Sequence, residues 1–138
     1  FPGIIKHHSL MFYSGYQYKK TGNYSYSNII NSPRGYTGIN LKEMFSLKAD
    51  YTFPIIYPDL DLPAVAYLKR VYTQLFYDHC TGKDSNNQKQ LYNSAGVEIY
   101  TDWNFLSLIP NIKLGLRSTY RFKDYQTNFE FLFGFSIN

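Results

Sequence analysis

The chain contains a single cysteine, Cys80, among its 138 residues. One cysteine cannot form an internal disulfide, and no metal-ligand spacing surrounds it, so neither a disulfide framework nor a cysteine metal site is predicted. No stretch approaches the ~18–20 uninterrupted apolar residues of a transmembrane helix, and the mean hydropathy is -0.36. The net charge of +4 is scattered along the chain, which argues against a nucleic-acid partner.

Signals for catalysis are equally sparse. There is no glycine-rich phosphate cradle, and the serines lack His and acid partners at a recognisable spacing. His7 and His8 are adjacent, so on a strand they would point to opposite faces and could not ligate one metal together. A catalytic pair of Glu98 and Asp102 is the weak alternative. We therefore expect no enzyme, no catalytic residue, no cofactor and no metal.

Aromatic residues are abundant, with 15 Tyr and 11 Phe. Tyr and Phe favour strands, and they also form the girdles of barrels at membrane interfaces. The end of the chain shows the clearest pattern, because apolar residues recur there at strict period two. These residues are Phe129, Phe131, Phe133, Phe135 and Ile137. A strand with one apolar face at this position is typical of an outer-membrane β-barrel, with a soluble β-sandwich as the competing interpretation.

The same alternation recurs along the chain and predicts an all-β antiparallel meander of about six strands. We place these strands at 9–19, 45–55, 64–79, 91–105, 112–122 and about 127–137. A long polar loop spans about 20–43 and a polar surface loop 81–90, whereas turns are predicted at 57–63, at Pro110-Asn111 and at 123–126. Long loops on one side and short turns on the other match the two sides of an outer-membrane barrel.

The face opposite the apolar one is strongly charged. Its predicted members are Lys48, Asp50, Arg70, Asp78, Glu98, Asp102, Lys113, Arg117, Arg121 and Glu130. So many charges could not form the core of a sandwich, although inverting the faces would rescue a sandwich if the aromatics were its core. Lys69 breaks the apolar face, which predicts either a β-bulge or a lysine that extends toward a lipid headgroup.

Three short motifs occur in order: Ser32-Pro33-Arg34-Gly35-Tyr36, a strand ending Asp50-Tyr51-Thr52-Phe53-Pro54, and a strand ending Phe76-Tyr77-Asp78-His79-Cys80. In these motifs the chain resembles the C-terminal half of the BamA/TamA (bacterial surface antigen) superfamily of outer-membrane assembly factors. The resemblance implies that residues 1–138 are the C-terminal portion of a barrel of about 16 strands, whose sixth extracellular loop folds back into the lumen. Cys80 stands where the motif has glycine, and the chain ends in Asn138 rather than an aromatic residue.

The motif residues also suggest a physical interaction. Asp50 and Asp78 point inward by alternation on adjacent strands, where an infolded loop could deliver Arg34. A guanidinium can bridge two carboxylates, Gly35 permits a sharp turn, and Tyr36 can pack on the lumen wall. The alternative is that Arg34 is a solvated loop residue and the acids are ordinary lumen charges. The resemblance adds Phe76 to this loop-lumen contact and makes the strand from Phe129 to Ile137 the barrel seam and insertion signal.

The expected function is insertion or translocation of proteins in the bacterial outer membrane, through a seam whose strand edge pairs with client strands. The alternative is a passive structural or pore-forming barrel that anchors a periplasmic domain. Expected partners are outer-membrane lipid, the remaining barrel strands and client outer-membrane proteins. Six strands cannot close around these lumen side chains, and the chain begins Phe-Pro-Gly. We therefore expect a processed product or fragment whose other strands come from the same parent chain or another chain.

Overall fold

The computed structural model describes residues 7–19, 28–57, 60–62, 66–105 and 111–136, which form a single antiparallel sheet. Its strands are β1 (Ser9–Tyr18), β2 (Glu43–Ile56), β3 (Leu60–Leu62), β4 (Ala66–Lys83), β5 (Lys89–Phe105), β6 (Asn111–Arg121) and β7 (Gln126–Ser136). The order across the sheet is β1-β2-β4-β5-β6-β7, and the short β3 pairs with β4. The prediction of an all-β antiparallel meander with six main strands is confirmed. Within the described ranges no helix is long and apolar enough to cross a membrane.

The sheet is open in the part of the chain that the structure describes. β1 pairs with β2 at one edge, and β7 pairs with β6 at the other. Each edge strand therefore has one side whose backbone N–H and C=O groups have no ladder partner among the described strands.

The two faces of the sheet differ sharply in chemistry. The outer face, defined here as the one carrying Phe129, Phe131, Phe133 and Phe135, leaves these rings 57–81% exposed. The inner face, which carries Asp50, Asp78 and Glu98, is covered by residues 28–42 and buries these acids. The alternation read from the sequence therefore separates the faces as predicted. Ile137, the last member of the predicted apolar row, lies outside the described residues.

The hairpin between β4 and β5 is shorter than predicted. The prediction of a polar loop over 81–90 was wrong at both ends, because the ladder continues to the pair Lys83 and Lys89. Asp84 then closes the turn, its Oδ1 accepting hydrogen bonds from the backbone N–H groups of Asn86 and Gln88 at 2.9 Å each. Polar composition marked the ladder end as a loop, but backbone pairing does not require apolar side chains there. The expected contrast between long and short loops therefore fails at this connection.

Other connections depart from the sequence-based expectation or lie outside the described residues. Leu60–Leu62 forms β3 within the predicted turn 57–63, because it pairs with Ala66–Leu68 of β4. Pro58, Pro63 and Pro110 lie outside the described residues, as do residues 20–27 of the long loop.

A β-bulge interrupts β4 at Lys69. Leu68 pairs with Trp103 and Arg70 pairs with Asp102, so Lys69 is the extra residue on this strand. Of the two interpretations offered for the break in the apolar pattern, the structure contains the bulge. The bulge resets the alternation, so that Arg70 lies on the inner face beside Asp102.

The small apolar core lies between the inner face and the segment 28–42. It consists of Leu41, Met44 and Cys80, with Ile30, Ile39 and Tyr92 packed against them. Cys80 pairs with Ser46 and Tyr92 well inside β4. The backbone N–H of Lys42 donates to Lys83 O at 2.8 Å, and Lys42 O accepts from the N–H of Lys19 at 2.7 Å. These bonds fix where the segment leaves the sheet and folds over it.

Candidate functional site

Residues 28–42, called here the infolded segment, contact the inner face of the sheet. Arg34 lies at the centre of this contact. Its Nε and Nη2 donate to the two carboxylate oxygens of Asp78 at 3.0 and 2.7 Å, which is a bidentate pair. Its backbone N–H donates to Asp78 Oδ2 at 2.8 Å. Three donors of one residue therefore converge on a carboxylate that is fully buried.

Two further acids complete the arginine cluster, defined here as Arg34, Asp50, Asp78 and Glu98. Arg34 Nη2 also donates to Asp50 Oδ1, and Nη1 lies 3.3 Å from Glu98 Oε1. The structure therefore brings Arg34 together with both acids identified from the sequence. Glu98 was expected on the inner face but not as a partner of Arg34. Its inward position on β5, the strand next to that of Asp78, is the signal that could have indicated this contact.

Sheet register explains why these acids converge. Asp50 pairs with Phe76, whose neighbour across β5 is Gly96, so these three residues form one row on the inner face. Asp78 and Glu98 lie two residues to either side of that row. The Arg34 guanidinium sits over the Phe76 ring, with Cζ 3.9 Å from the ring centroid. A Cβ at position 96 would lie 2.6 Å from Phe76 Cζ, so Gly96 makes the space that the ring occupies.

Gly35 and Tyr36 hold the tip of the segment against β5 and β6. Gly35 has φ +80°, and a Cβ there would lie 2.8 Å from Thr119 Cγ2, so both backbone conformation and space favour glycine. The Tyr36 hydroxyl donates to Asn93 O at 3.0 Å and accepts from the backbone N–H of Lys123 at 3.2 Å. Its ring packs edge-on against Tyr92, with 5.2 Å between centroids.

The electrostatics of the cluster favour a charged arginine. Burial by itself lowers the pKa of Arg34, but hydrogen bonds to Asp78 and Asp50 outweigh it and raise that pKa above its ordinary value. Burial also raises the pKa of the Tyr36 hydroxyl. Lys48 and Arg117 supply two further cations, with Lys48 Nζ donating to Ser32 O at 3.0 Å and Arg117 Nε to Glu98 Oε1 at 2.6 Å. The buried acids are thus matched by cations.

This arrangement is suited to holding a loop. The three acids of the arginine cluster accept hydrogen bonds from guanidinium and backbone donors. Among the residues that the structure describes, no group of three or more His, Cys, Asp or Glu side chains could hold a metal ion. The chemistry available is charge-assisted attachment of residues 32–36 to the sheet.

Comparison with known proteins gives no relative: no family model matches the chain, and no similar curated protein or solved structure is found.

Proposed function

We propose that this chain is the C-terminal portion of an outer-membrane β-barrel of the BamA/TamA class, which inserts or translocates proteins at the bacterial outer membrane. The observation that carries this proposal is the opposition of the two faces. Exposed aromatic and aliphatic side chains line the outer face, while the inner face buries a network of charges. Outward apolar and inward polar residues are the arrangement that a membrane barrel requires.

Large apolar side chains on the outer face of β6 and β7 are strongly exposed. Phe129 is 81% exposed and its neighbours Phe131 and Leu116 are 66% and 62% exposed. Full burial of each such side chain is worth about 1.5–3 kcal/mol, so leaving a contiguous row in water is unfavourable. Lipid would cover this row without any further protein contact.

The open edges of the sheet support a barrel larger than the described strands. Hydrocarbon offers no hydrogen bonds to the side of an edge strand that lacks a ladder partner, and β7 pairs only with β6 among the described strands. We therefore propose that further strands, from the same parent chain or from another chain, pair with these edges and complete the wall. The arginine cluster would then hold residues 28–42 inside the lumen.

The β7 edge is the position at which an assembly barrel would receive a client strand. A cysteine at Phe131 tests this, because Phe131 lies on the edge strand and pairs directly with Leu116 on the interior strand β6. Phe131→Cys and Leu116→Cys place a thiol on the same face at the same level of the sheet. The natural Cys80 is fully buried, so it provides little background reactivity.

The experiment expresses each variant with a client outer-membrane protein that carries a cysteine in its terminal strand. An assembly barrel gives disulfide crosslinks to the client from Phe131→Cys and few from Leu116→Cys. Absence of crosslinks from both variants, together with measurable ion conductance in planar bilayers, would contradict assembly and favour the passive pore. Recovery of the protein in the soluble fraction would contradict both.

A further inference from the structure

The tip of the infolded segment is connected to the edge strand β7 by a direct polar contact. Gly35 O accepts a hydrogen bond from Asn128 Nδ2 on β7 at 3.3 Å. The same carbonyl accepts from Arg121 Nη1 at 3.3 Å, and Arg121 ends the neighbouring strand β6. One loop carbonyl therefore contacts the last two strands of the sheet.

A second connection runs from the arginine cluster across β5 and β6 to β7. Glu98 Oε1 accepts from Arg34 Nη1 and, at 2.6 Å, from Arg117 Nε. Arg117 Nη1 in turn donates to Glu130 Oε2 at 2.9 Å. Glu98, Arg117 and Glu130 are directly paired in register, so the ion pairs form a row perpendicular to the strands that ends at the open edge.

This row is shielded from solvent at its loop end. Glu98 is 1% exposed, and the side chain of Arg117 is 20% exposed. Charge-assisted hydrogen bonds in such a setting are stronger than those on a surface, and members of one network are energetically coupled. β7 has one neighbouring strand among the described residues, β6, so these inner-face contacts add to a single backbone ladder.

We propose that residues 34 and 35 position the edge strand β7, and that Asn128 and Glu130 transmit changes between this edge and the infolded segment. Because coupling is reciprocal, a change that displaces β7 loosens the loop tip, and release of the loop tip loosens β7. Under the proposed function, pairing of a client strand with β7 would therefore be sensed at the arginine cluster. The coupling itself does not depend on that function.

The test alters β7 and measures the loop. In Asn128→Ala/Glu130→Gln, amide hydrogen exchange is followed at Arg34 and Tyr36, whose N–H groups donate to Asp78 Oδ2 and Pro33 O. The double variant loses the hydrogen bond from Asn128 and the charge of Glu130, although glutamine keeps an oxygen that can accept from Arg117. Exchange at these amides should accelerate by about 5- to 30-fold. The matched control is Thr127→Ala, an exposed position on the outer side of the same strand. Ladder amides of β2 serve as an internal reference for global unfolding.

The measurement uses the full protein in lipid nanodiscs, or in buffer if it proves soluble, so a failure of the membrane proposal does not prevent it. Unchanged exchange at Arg34 and Tyr36 would overturn the coupling. So would equal acceleration in the Thr127→Ala control or in the β2 amides, because the effect would then be general loosening. If the double variant does not fold, the single variants Asn128→Ala and Glu130→Gln are measured, with the same outcomes decisive.

Discussion

Replacing Arg34 by alanine removes the cation at the centre of the arginine cluster. The substitution eliminates the bidentate pair with Asp78, the contacts with Asp50 and Glu98, and the stacking on Phe76. The Asp78 carboxylate is fully buried, so it would lose its strongest partner while the segment still covers it. We expect the infolded segment to detach and the protein to be destabilised.

The size of the effect follows from which acids keep a partner. Glu98 retains Arg117 at 2.6 Å, whereas Asp78 and Asp50 lose their guanidinium partner altogether. Breaking a buried ion pair by removing one member costs roughly 3–5 kcal/mol, because a buried charge is left uncompensated. Since detachment would let water reach these acids, the lower part of that range, about 3 kcal/mol, is the expected loss.

Urea unfolding of the wild type, Arg34→Ala and Arg34→Ala/Asp78→Asn provides the assay, together with limited proteolysis of residues 28–42. The double variant removes both the cation and the charge that it left unpaired, so it should recover part of the lost stability. Arg34→Lys should fall between wild type and alanine, because an ammonium cannot make the bidentate pair. An unchanged urea-unfolding curve and unchanged loop proteolysis in Arg34→Ala would contradict this role of Arg34.

Three further substitutions test individual contacts, each by urea unfolding. Gly35→Ala should cost about 2 kcal/mol or more, since it combines positive φ with a clash, whereas Gly38→Ala, with φ +71° and open space, should cost only about 1 kcal/mol; equal losses would contradict the clash. Tyr36→Phe keeps the ring but removes the hydroxyl bond to a β5 carbonyl at 3.0 Å, so about 1 kcal/mol should be lost, and no loss would show that the bond is not stabilising. Gly96→Ala would place Cβ 2.1 Å from a β6 carbonyl oxygen and should cost ~3 kcal/mol or more, whereas Gly134→Ala meets nothing within 4 Å and should be neutral. A tolerated Gly96→Ala would mean that the row around Phe76 is less tightly packed than the structure indicates.

The strand pattern and the assignment of residues to the two faces were predictable, because alternation depends on local chemistry. Asp50 and Asp78 could be assigned to the inner face by counting residues, and a planar guanidinium was the reason to bring Arg34 to them. The irregularity at Lys69 could also be anticipated, because a lysine in an apolar row predicts either a β-bulge or a side chain that extends toward a lipid headgroup. The ends of β4 and β5 were harder to predict, because Gly82 and Lys83 look like loop residues. They are ordered by pairing with Gln90 and Lys89 on one side and with Met44 and Glu43 on the other.

The finer parts of the site depend on register between distant strands, which composition does not encode. Glu98 reaches Arg34 only because β5 lies beside β4 with Gln74 opposite it. Gly96 matters only because the Phe76 ring occupies the space above it. The connection from Gly35 to Asn128 joins residues 93 positions apart in the sequence. No local pattern marks such a contact before the sheet is assembled.

Single nitroxide labels along β7 would report whether lipid contacts the outer face. Labels at positions 128 to 135, with the protein in nanodiscs, report collision rates with oxygen, which partitions into lipid, and with a water-soluble nickel chelate. Lipid contact predicts period-two alternation, with high oxygen accessibility at Phe129, Phe131, Phe133 and Phe135 and low accessibility at the positions between them. Greater accessibility to the nickel chelate at the phenylalanine positions, or no alternation, would contradict it.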